Sequence, residues 1–138
     1  LVPYGIFTAA DGSIVIACLT NVFWTKICMA IDRPELADDP RYDTLEKRRD
    51  SREAVNAIIN GYTAQHSVDA LVDRMTAFEV PHAPILGVKD ALNQPQAVAR
   101  DMVVETDHAT LGRIPIVNRP IRFVDAEQPV PTAPPVLG

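Results

Sequence analysis

The stretch YGIFTAADGSIVIACLTNVFWTKICMAI, residues 4–31, decides the fold of this chain. Asp11-Gly12 is a strong signal for a β-hairpin turn, and apolar residues lie on both sides of it. Thr20 or Asn21 can cap the helix that follows, because a short polar side chain accepts a free N–H of the first turn. An apolar stripe at helical spacing comes next, formed by Trp24, Ile27, Cys28 and Ile31. The stretch therefore predicts a hairpin followed by an amphipathic helix, which Pro34 is expected to end.

The middle of the chain predicts further helices, and its last third predicts strands. Asp50, with Glu53 three residues on, resembles a capping box at the start of a second helix. A third helix is predicted from Ser67, and two short ones over residues 89–92 and 96–100. Strand-like segments follow, which are MVVET (102–106), RIPIV (113–117) and IRFV (121–124). Strands, then helices, then strands favour an α+β fold with a small, mainly antiparallel sheet packed with several helices.

Length and composition narrow the class of protein. The 138 residues suit one domain, predicted over residues 1–128, and the proline-rich tail 129–138 is expected to be an extended linker. A net charge of −5 and the lack of any basic run longer than Lys47-Arg48-Arg49 argue against a nucleic-acid partner. The longest apolar stretches, such as Ile14 to Leu19, are too short to span a bilayer.

The acidic segment PELADDPRYDT, residues 34–44, invites a metal-binding interpretation. Its carboxylates could offer oxygen ligands to Ca²⁺ or Mg²⁺. Pro40 and Arg41 interrupt them, and the glycine and terminal glutamate of an EF-hand loop are missing. Prolines and aspartates in this pattern are typical of ordinary turns. We therefore interpret the segment as a structured turn and predict no metal.

The remaining candidate groups favour structural roles. His66, His82 and His108 are far apart in sequence and share no ligand-like spacing. Cys18 and Cys28 make neither a disulfide framework nor a zinc site, so we expect two buried, reduced thiols. Reduced thiols fit a cytoplasmic location. The chain begins at Leu1 rather than Met, and we expect it to be a piece of a longer polypeptide.

Several long segments together resemble the family III CoA-transferases, also called the CaiB/BaiF type. The hairpin and first helix resemble that family, as do RPELADDPRYDTLEKRRDSRE (33–53) and EVPHAPILGVKDALNQPQAVARDMV (79–103). The segments PIRF (120–123) and APPVLG (133–138) resemble its closing strand and tail. The likeness covers essentially the whole chain, in order and without large gaps.

The resemblance implies that this chain is the smaller domain of a two-domain enzyme that forms an interlocked homodimer. It implies a CoA thioester and a carboxylic acid as substrates of the longer protein, with the catalytic aspartate and most CoA contacts in the larger domain. No residue of this chain matches that aspartate, and no cofactor is expected to bind here. This domain would form one wall of the acyl site, with Thr20, Asn21 and Trp24 facing the substrate.

The chain also departs from the family pattern. It has Thr20-Asn21 where many transferases have Asn-Asp, and the related 2-methylacyl-CoA racemases have a glutamate at the position of Thr20. Since a threonine cannot supply that carboxylate, the resemblance favours a transferase over a racemase. Glu79 and Ala83 stand where glycines are common, so the backbone there can require positive φ. A racemase fragment and a non-catalytic interaction module remain the alternatives.

Overall fold

A computed structural model describes residues 1–125, 129 and 131–136 of the chain. The chain divides into two compact units, residues 1–85 and 86–138. The first unit holds strands β1 (Tyr4–Thr8), β2 (Ser13–Ala17) and β3 (His82–Pro84), with helices α1 (Asn21–Ala30), α2 (Leu45–Asp50), α3 (Arg52–Thr63) and α4 (Val68–Ala77). The second unit holds helices α5 (Val88–Leu92) and α6 (Pro95–Ala99), followed by strands β4 (Val103–His108) and β5 (Gly112–Val117).

Both sheets are antiparallel, which confirms the predicted α+β fold. In the first unit β2 lies between β1 and β3, with Phe7 opposite Ile14 and Ile16 opposite His82. Because alternate strand residues point to opposite faces, Phe7, Ile14 and Ile16 all lie on the buried face. Helices α3 and α4 pack on this sheet, and α1 packs on α4. The predicted apolar stripe of α1 is confirmed, since Trp24, Ile27, Cys28 and Ile31 are all buried.

The hairpin turn is held by the segment between α3 and α4. Ala9 N–H donates to Gly12 O across the turn at 2.9 Å, and Ala10 N–H donates to His66 O at 2.8 Å. The Asp11 carboxylate accepts the N–H of Val68, the first residue of α4, at 2.8 Å. A Cβ on Gly12 would lie 3.0 Å from Cγ2 of Val68. The predicted hairpin is confirmed, and its glycine serves the close approach to α4 rather than a positive φ.

Two of the predicted helix starts have different outcomes. Ser67 caps α4 as predicted, since its Oγ accepts Ala70 N–H at 3.3 Å. The capping box at Asp50 is wrong, because Asp50 ends α2 and α3 begins at Arg52 after Ser51. Helix α2 is absent from the predicted elements, and its first turn is capped by Thr44 Oγ1, which accepts Lys47 N–H at 3.3 Å. A short helix with its own cap thus lies directly before α3, in a segment for which no helix was predicted.

Helices α1, α4 and α6 are each followed, two residues after their last residue, by an acidic residue with left-handed backbone. The values of φ are 57° at Asp32, 52° at Glu79 and 49° at Asp101. After each of them, the next N–H returns to a carbonyl five residues back, as Val80 N–H does to Met75 O at 2.8 Å. This is the Schellman arrangement, which usually places glycine at the left-handed position. Helix α1 therefore ends by this turn at Asp32, and the prediction that Pro34 ends it is wrong.

Each of these left-handed carboxylates meets a cation from elsewhere in its unit. Asp32 pairs with Arg74, Glu79 Oε2 lies 2.6 Å from Lys26 Nζ, and Asp101 Oδ2 lies 2.8 Å from Arg122 Nη2. The hydrogen bond from Lys26 is the main cause that lowers the pKa of Glu79 below its ordinary value. The acidic side chains thus provide a tertiary contact where a glycine would provide none. Of the two positions where positive φ was expected, residue 79 has it, whereas Ala83 lies in β3 and does not.

The second unit contains most of the elements predicted for the end of the chain. Helices α5 and α6 confirm the predicted short helices to within one residue at their starts, and β4 and β5 confirm two predicted strands. The segment IRFV, residues 121–124, is not a strand, so that prediction is wrong.

The two units differ in side-chain burial. All of the buried side chains in the described part of the chain lie between residues 2 and 80. Among the described residues, no helix has the length and hydropathy needed to cross a membrane.

The predicted division into a domain over residues 1–128 and a linker over 129–138 stays a prediction. Residues 126–128, 130, 137 and 138 lie outside the described part of the chain. The boundary between the two compact units falls between Ile85 and Leu86 in the sequence.

We predict that Glu79→Gly is more stable than Glu79→Ala, with a melting temperature about 4–8 °C higher. Both variants lose the contact with Lys26, so they differ in the chain entropy that glycine loses on folding and, more strongly, in the cost of left-handed backbone. That cost is about 1–2 kcal/mol for a residue with a Cβ and is small for glycine. Thermal unfolding followed by circular dichroism measures the difference. Equal melting temperatures would mean that residue 79 does not keep a positive φ in solution.

Candidate functional site

The start of α1 carries the residues that the sequence analysis expected to face a substrate. Thr20 and Asn21 are exposed, and Thr20 occupies the N-cap position with φ −144° and ψ 169°. Its side chain makes no capping hydrogen bond, so the predicted side-chain cap is wrong. Instead its carbonyl oxygen accepts Trp24 N–H at 3.2 Å and the Cys18 thiol at 3.3 Å. The Thr20 hydroxyl and the Asn21 side chain are therefore at the surface.

Trp24 lies in the core beneath this surface. Its side chain is 1% exposed, and its indole Nε1–H donates to Leu36 O at 3.2 Å. The ring of Tyr42 meets the indole edge-on, with the ring centroids 6.3 Å apart. Because Trp24 is buried, it offers no exposed surface to a substrate in this chain, and its predicted contact with a substrate lacks structural support. Of the three residues expected to face a substrate, Thr20 and Asn21 are adjacent at the surface, whereas Trp24 is buried.

Arg48 is the residue that connects these groups, and it is not among the site residues predicted from the sequence. The side chain is fully buried, which is rare for arginine. Its Nε donates to Val2 O at 3.1 Å, its Nη1 to Tyr42 O at 2.8 Å and its Nη2 to Asn21 Oδ1 at 2.8 Å. The guanidinium carbon also lies 5.2 Å from the centre of the Trp24 ring, within range of a cation–π interaction.

The charge of Arg48 has no carboxylate partner among the residues that the structure describes. Its three bonded acceptors are two backbone carbonyls and one amide oxygen, all of them neutral. Buried charges are normally paired, because removing an ion from water is costly. Nothing in the triplet Lys47-Arg48-Arg49 singles out its middle member. The start of α2 at Leu45 is the signal that could identify Arg48 as buried, because it places Arg48 about one helical turn after half-buried Leu45.

The acidic segment 34–44 supplies the other side of this cluster. Leu36 and Tyr42 are buried, and their carbonyls accept the hydrogen bonds from Trp24 and Arg48. Three of its four carboxylates are paired with cations, which are Glu35 with Arg33, Asp39 with Arg41 and Asp43 with Lys47. The Arg41 guanidinium holds the pKa of the Asp39 carboxyl at about 2. The interpretation of the segment as a structured turn is confirmed, and no metal-like group of acidic, His or Cys residues occurs among the described residues.

The two thiols lie in the same core and are unsuited to catalysis. Cys18 and Cys28 are free and buried, which confirms the predicted pair of reduced thiols. Burial raises the pKa of Cys28 to about 12, and burial likewise raises the pKa of Cys18. The thiolate is the nucleophilic form, so both sulfurs are inert at neutral pH.

The histidines make local structural contacts. The Nδ1 of His82 lies 2.7 Å from Val80 O, and the His66 ring stacks on Tyr62 with centroids 4.3 Å apart. In the second unit, His108 Nδ1 accepts the N–H groups of Thr110 and Leu111, both at 3.2 Å. These contacts give the three histidines local structural roles.

Comparison with known proteins gives the chain a family. The model of a family described as CoA-transferase family III matches residues 1–138. Human succinyl-CoA:glutarate CoA-transferase is 28% identical over 138 residues, covering 100% of this chain and 32% of that protein. Succinyl-CoA–D-citramalate CoA-transferase of Chloroflexus aurantiacus is 30% identical, covering 99% of this chain and 34% of its own. The chain thus spans about a third of the length of these relatives.

A solved structure supports the same relationship. A CAIB/BAIF family protein from Brucella suis superposes with a TM-score of 0.80 at 31% identity, covering 92% of this chain and 32% of that protein. The α+β architecture described above is therefore that of a known fold.

We predict that Trp24→Ala lowers the free energy of unfolding by about 3–5 kcal/mol. The substitution removes a large buried side chain and leaves a cavity against Tyr42 and Arg48. Val22→Ala is the control, because Val22 lies on the same helix and is 63% exposed. It should change the free energy by no more than about 0.5 kcal/mol. A loss below about 1 kcal/mol for Trp24→Ala in urea unfolding would place the indole outside the core.

We predict that Asn21→Asp raises the free energy of unfolding by about 1–2 kcal/mol at pH 7. The guanidinium already makes a charge-assisted hydrogen bond to the neutral amide oxygen, and a carboxylate in this position would also balance its buried charge with an ion pair. Arg48 lowers the pKa of such a carboxyl, so the gain is present above the unfolded-state pKa and is lost as the pH falls through the lowered value.

Asn21→Ala tests the same contact from the other direction. It leaves the buried Nη2 of Arg48 without its acceptor and should cost about 1–3 kcal/mol. Urea unfolding at pH 7 and at low pH measures both variants. If Asn21→Asp were less stable than the natural chain at pH 7, the charge of Arg48 would already be balanced in solution.

Proposed function

The chain belongs to CoA-transferase family III, and from this premise we propose that it is the small domain of an acyl-CoA:carboxylate CoA-transferase. The observation that carries the proposal is the match of the whole chain to about a third of relatives named for CoA transfer to a carboxylic acid. The longer protein would take an acyl-CoA and a carboxylic acid as substrates and would act as a homodimer.

The proposal assigns the catalytic carboxylate to the remaining part of that longer protein. Acyl transfer through a carboxylate needs an activated nucleophile and hydrogen-bond donors aimed at the oxyanion. In the first unit of this chain, acidic side chains such as Asp32, Asp39 and Glu79 are instead tied to cations in contact with water. Carboxylates paired with cations in this way are typical of a protein surface, whereas a nucleophilic carboxylate has to be free to attack.

Thr20 and Asn21 are the proposed contribution of this domain to the acyl site. They lie between two exposed apolar residues, since Leu19 is 47% and Val22 is 63% exposed. A polar pair with apolar neighbours can position an acyl group and exclude water from it once the rest of the protein covers this surface. Exclusion of water protects a reactive acyl intermediate from hydrolysis.

The outer face of β1 is the surface that we propose for contact with the rest of the assembly. Tyr4 and Ile6 are 54% and 66% exposed and follow each other on one face of the strand. Apolar side chains that adjoin on a strand face are suited to burial against another protein surface. This domain would thereby support the homodimer, beyond lining the acyl site.

We predict that the 138-residue chain alone catalyses no CoA transfer, while the longer protein does. Succinyl-CoA incubated with glutarate should yield glutaryl-CoA, measured by mass spectrometry, only when the longer protein is present. The names of the relatives suggest this pair of substrates. Turnover by the 138-residue chain above the uncatalysed rate would contradict the assignment of the nucleophile. An inactive longer protein, across a panel of carboxylic acids, would contradict the proposed transferase and favour an interaction module.

A second prediction separates the transferase from a racemase of the same family. Racemisation needs a base that removes the α-proton and a group that returns it from the opposite face. The exposed Thr20 hydroxyl has no suitable pKa for either step. The longer protein, given one enantiomer of a 2-methylacyl-CoA in D₂O, should therefore incorporate no deuterium at the α-carbon. Rapid incorporation without an acceptor acid would favour the racemase.

A further inference from the structure

The second unit contains a cavity whose wall carries two arginine side chains. The cavity has a volume of about 340 Å³, and its polar lining consists of Asp101, Asn118, Arg119 and Arg122. Pockets that bind small molecules begin at about 300 Å³ and combine apolar surface with a few fixed polar groups. The cavity is therefore large enough for a small organic molecule.

Both guanidiniums are held by hydrogen bonds and still have unused donors. Arg119 Nη2 donates to Pro129 O at 3.0 Å. Arg122 Nη2 donates to Asp101 Oδ2 at 2.8 Å and also to Arg100 O. Among the described residues, the Nε and Nη1 groups of both arginines have no acceptor. Since an arginine side chain carries five N–H donors, most of the donors of each are available to a ligand.

Asn118 fixes the backbone from which Arg119 extends. Its N–H donates to Met102 O at 2.8 Å, and its Nδ2 donates to Asp101 O at 2.9 Å. Its Oδ1 in turn accepts Arg119 N–H at 2.8 Å. These bonds tie the segment after β5 to the residues that follow α6. A ligand that meets donors held in this way loses less affinity to the ordering of the protein.

The wall of the cavity favours an anion, although it includes one carboxylate. Two guanidiniums and the carboxylate of Asp101 give the wall a net charge of +1. The carboxylate is engaged by a single nitrogen of Arg122, which leaves the other two nitrogens of that side chain unused. The rest of the lining is apolar and consists of Ile121, Pro129 and Pro131. An organic anion with an apolar body therefore matches both parts of the wall.

We propose that this cavity binds a small organic phosphate monoester, whose phosphate group is held by Arg119 and Arg122. A carboxylate has two oxygens and one charge, which a single guanidinium can satisfy. A phosphate monoester has three terminal oxygens and a charge of about −1.5 to −2 at pH 7, so it can accept hydrogen bonds from two guanidiniums at once. The inference goes beyond the proposed function, because no step of acyl transfer is assigned to this cavity.

The test is an NMR titration of the full 138-residue chain at constant ionic strength. Phenyl phosphate is the probe, benzoate carries the same ring on a carboxylate, and inorganic phosphate lacks the apolar body. We expect phenyl phosphate to shift the ¹H–¹⁵N signals of residues 118–122 and to bind several-fold more tightly than either reference compound. The two guanidiniums account for the difference from benzoate, and the apolar lining accounts for the difference from inorganic phosphate.

Three variants decide whether the binding arises in this cavity. Arg119→Gln should weaken the binding of phenyl phosphate about tenfold, because it removes charge-assisted hydrogen bonds. Asp101→Asn should strengthen the binding, because it removes the like charge from the wall, and asparagine tolerates the left-handed backbone at this position. Arg113→Gln is the matched control, because Arg113 lies in the same unit, pairs with Glu105 and does not line the cavity. It should bind phenyl phosphate as the natural chain does.

The inference is overturned if benzoate or inorganic phosphate binds as tightly as phenyl phosphate, if the shifted signals lie away from residues 118–122, or if Arg119→Gln leaves the binding unchanged. Should Arg119→Gln disturb the fold of the second unit, Asp101→Asn still decides, since unchanged or weaker binding by that variant also overturns the inference. Failure of the proposed function would be seen separately, as a longer protein that transfers no CoA.

Discussion

The burial of one guanidinium organises the first unit of this protein. Arg48 is bonded to Val2, Tyr42 and Asn21, which come from the N-terminal segment, the acidic turn and the start of α1. It also lies against the ring of Trp24, the largest fully buried side chain. Because the guanidinium is planar and donates in several fixed directions, it can hold three separate segments in one geometry. No apolar side chain of similar volume would specify the same arrangement.

The rest of the first unit is arranged around this cluster by polar contacts at the ends of elements. The hairpin turn is fixed to the first turn of α4 through Asp11, and α1 ends in a left-handed aspartate that pairs with Arg74 of α4. Helix α4 ends in the same way at Glu79, which reaches back to Lys26 of α1. Exposed ion pairs are individually weak. Here they act at positions where the backbone is already constrained, and so they link the two helices to each other at their ends.

The two units differ in how many of their side chains are buried. Residues 1–85 enclose a core in which isoleucine, valine and aromatic side chains are fully buried, and the candidate site lies on that rigid support. In residues 86–138, the described side chains are at most half-buried, and the unit consists of two short helices and a hairpin with antiparallel hydrogen bonds. A chain of this length with so little burial gains limited stability from apolar packing. The hydrogen bonds described for Thr20 and Asn21 are made with residues of the first unit.

The sequence by itself determined the features that depend on local spacing. The hairpin at Asp11-Gly12, the buried stripe of α1 and the Ser67 cap follow from repeats of two and 3.6 residues and from the hydrogen-bonding of short side chains. The family resemblance likewise needed only the order of the segments. Tertiary structure decided which cation is buried and which caps are used. Arg48 finds its acceptors 46 and 27 residues away, at Val2 and Asn21, and no local pattern of charge reveals such partners. The predicted caps failed in different ways: Asp50 is the last residue of α2, whereas Thr20 occupies the N-cap position of α1 but makes no capping hydrogen bond with its side chain.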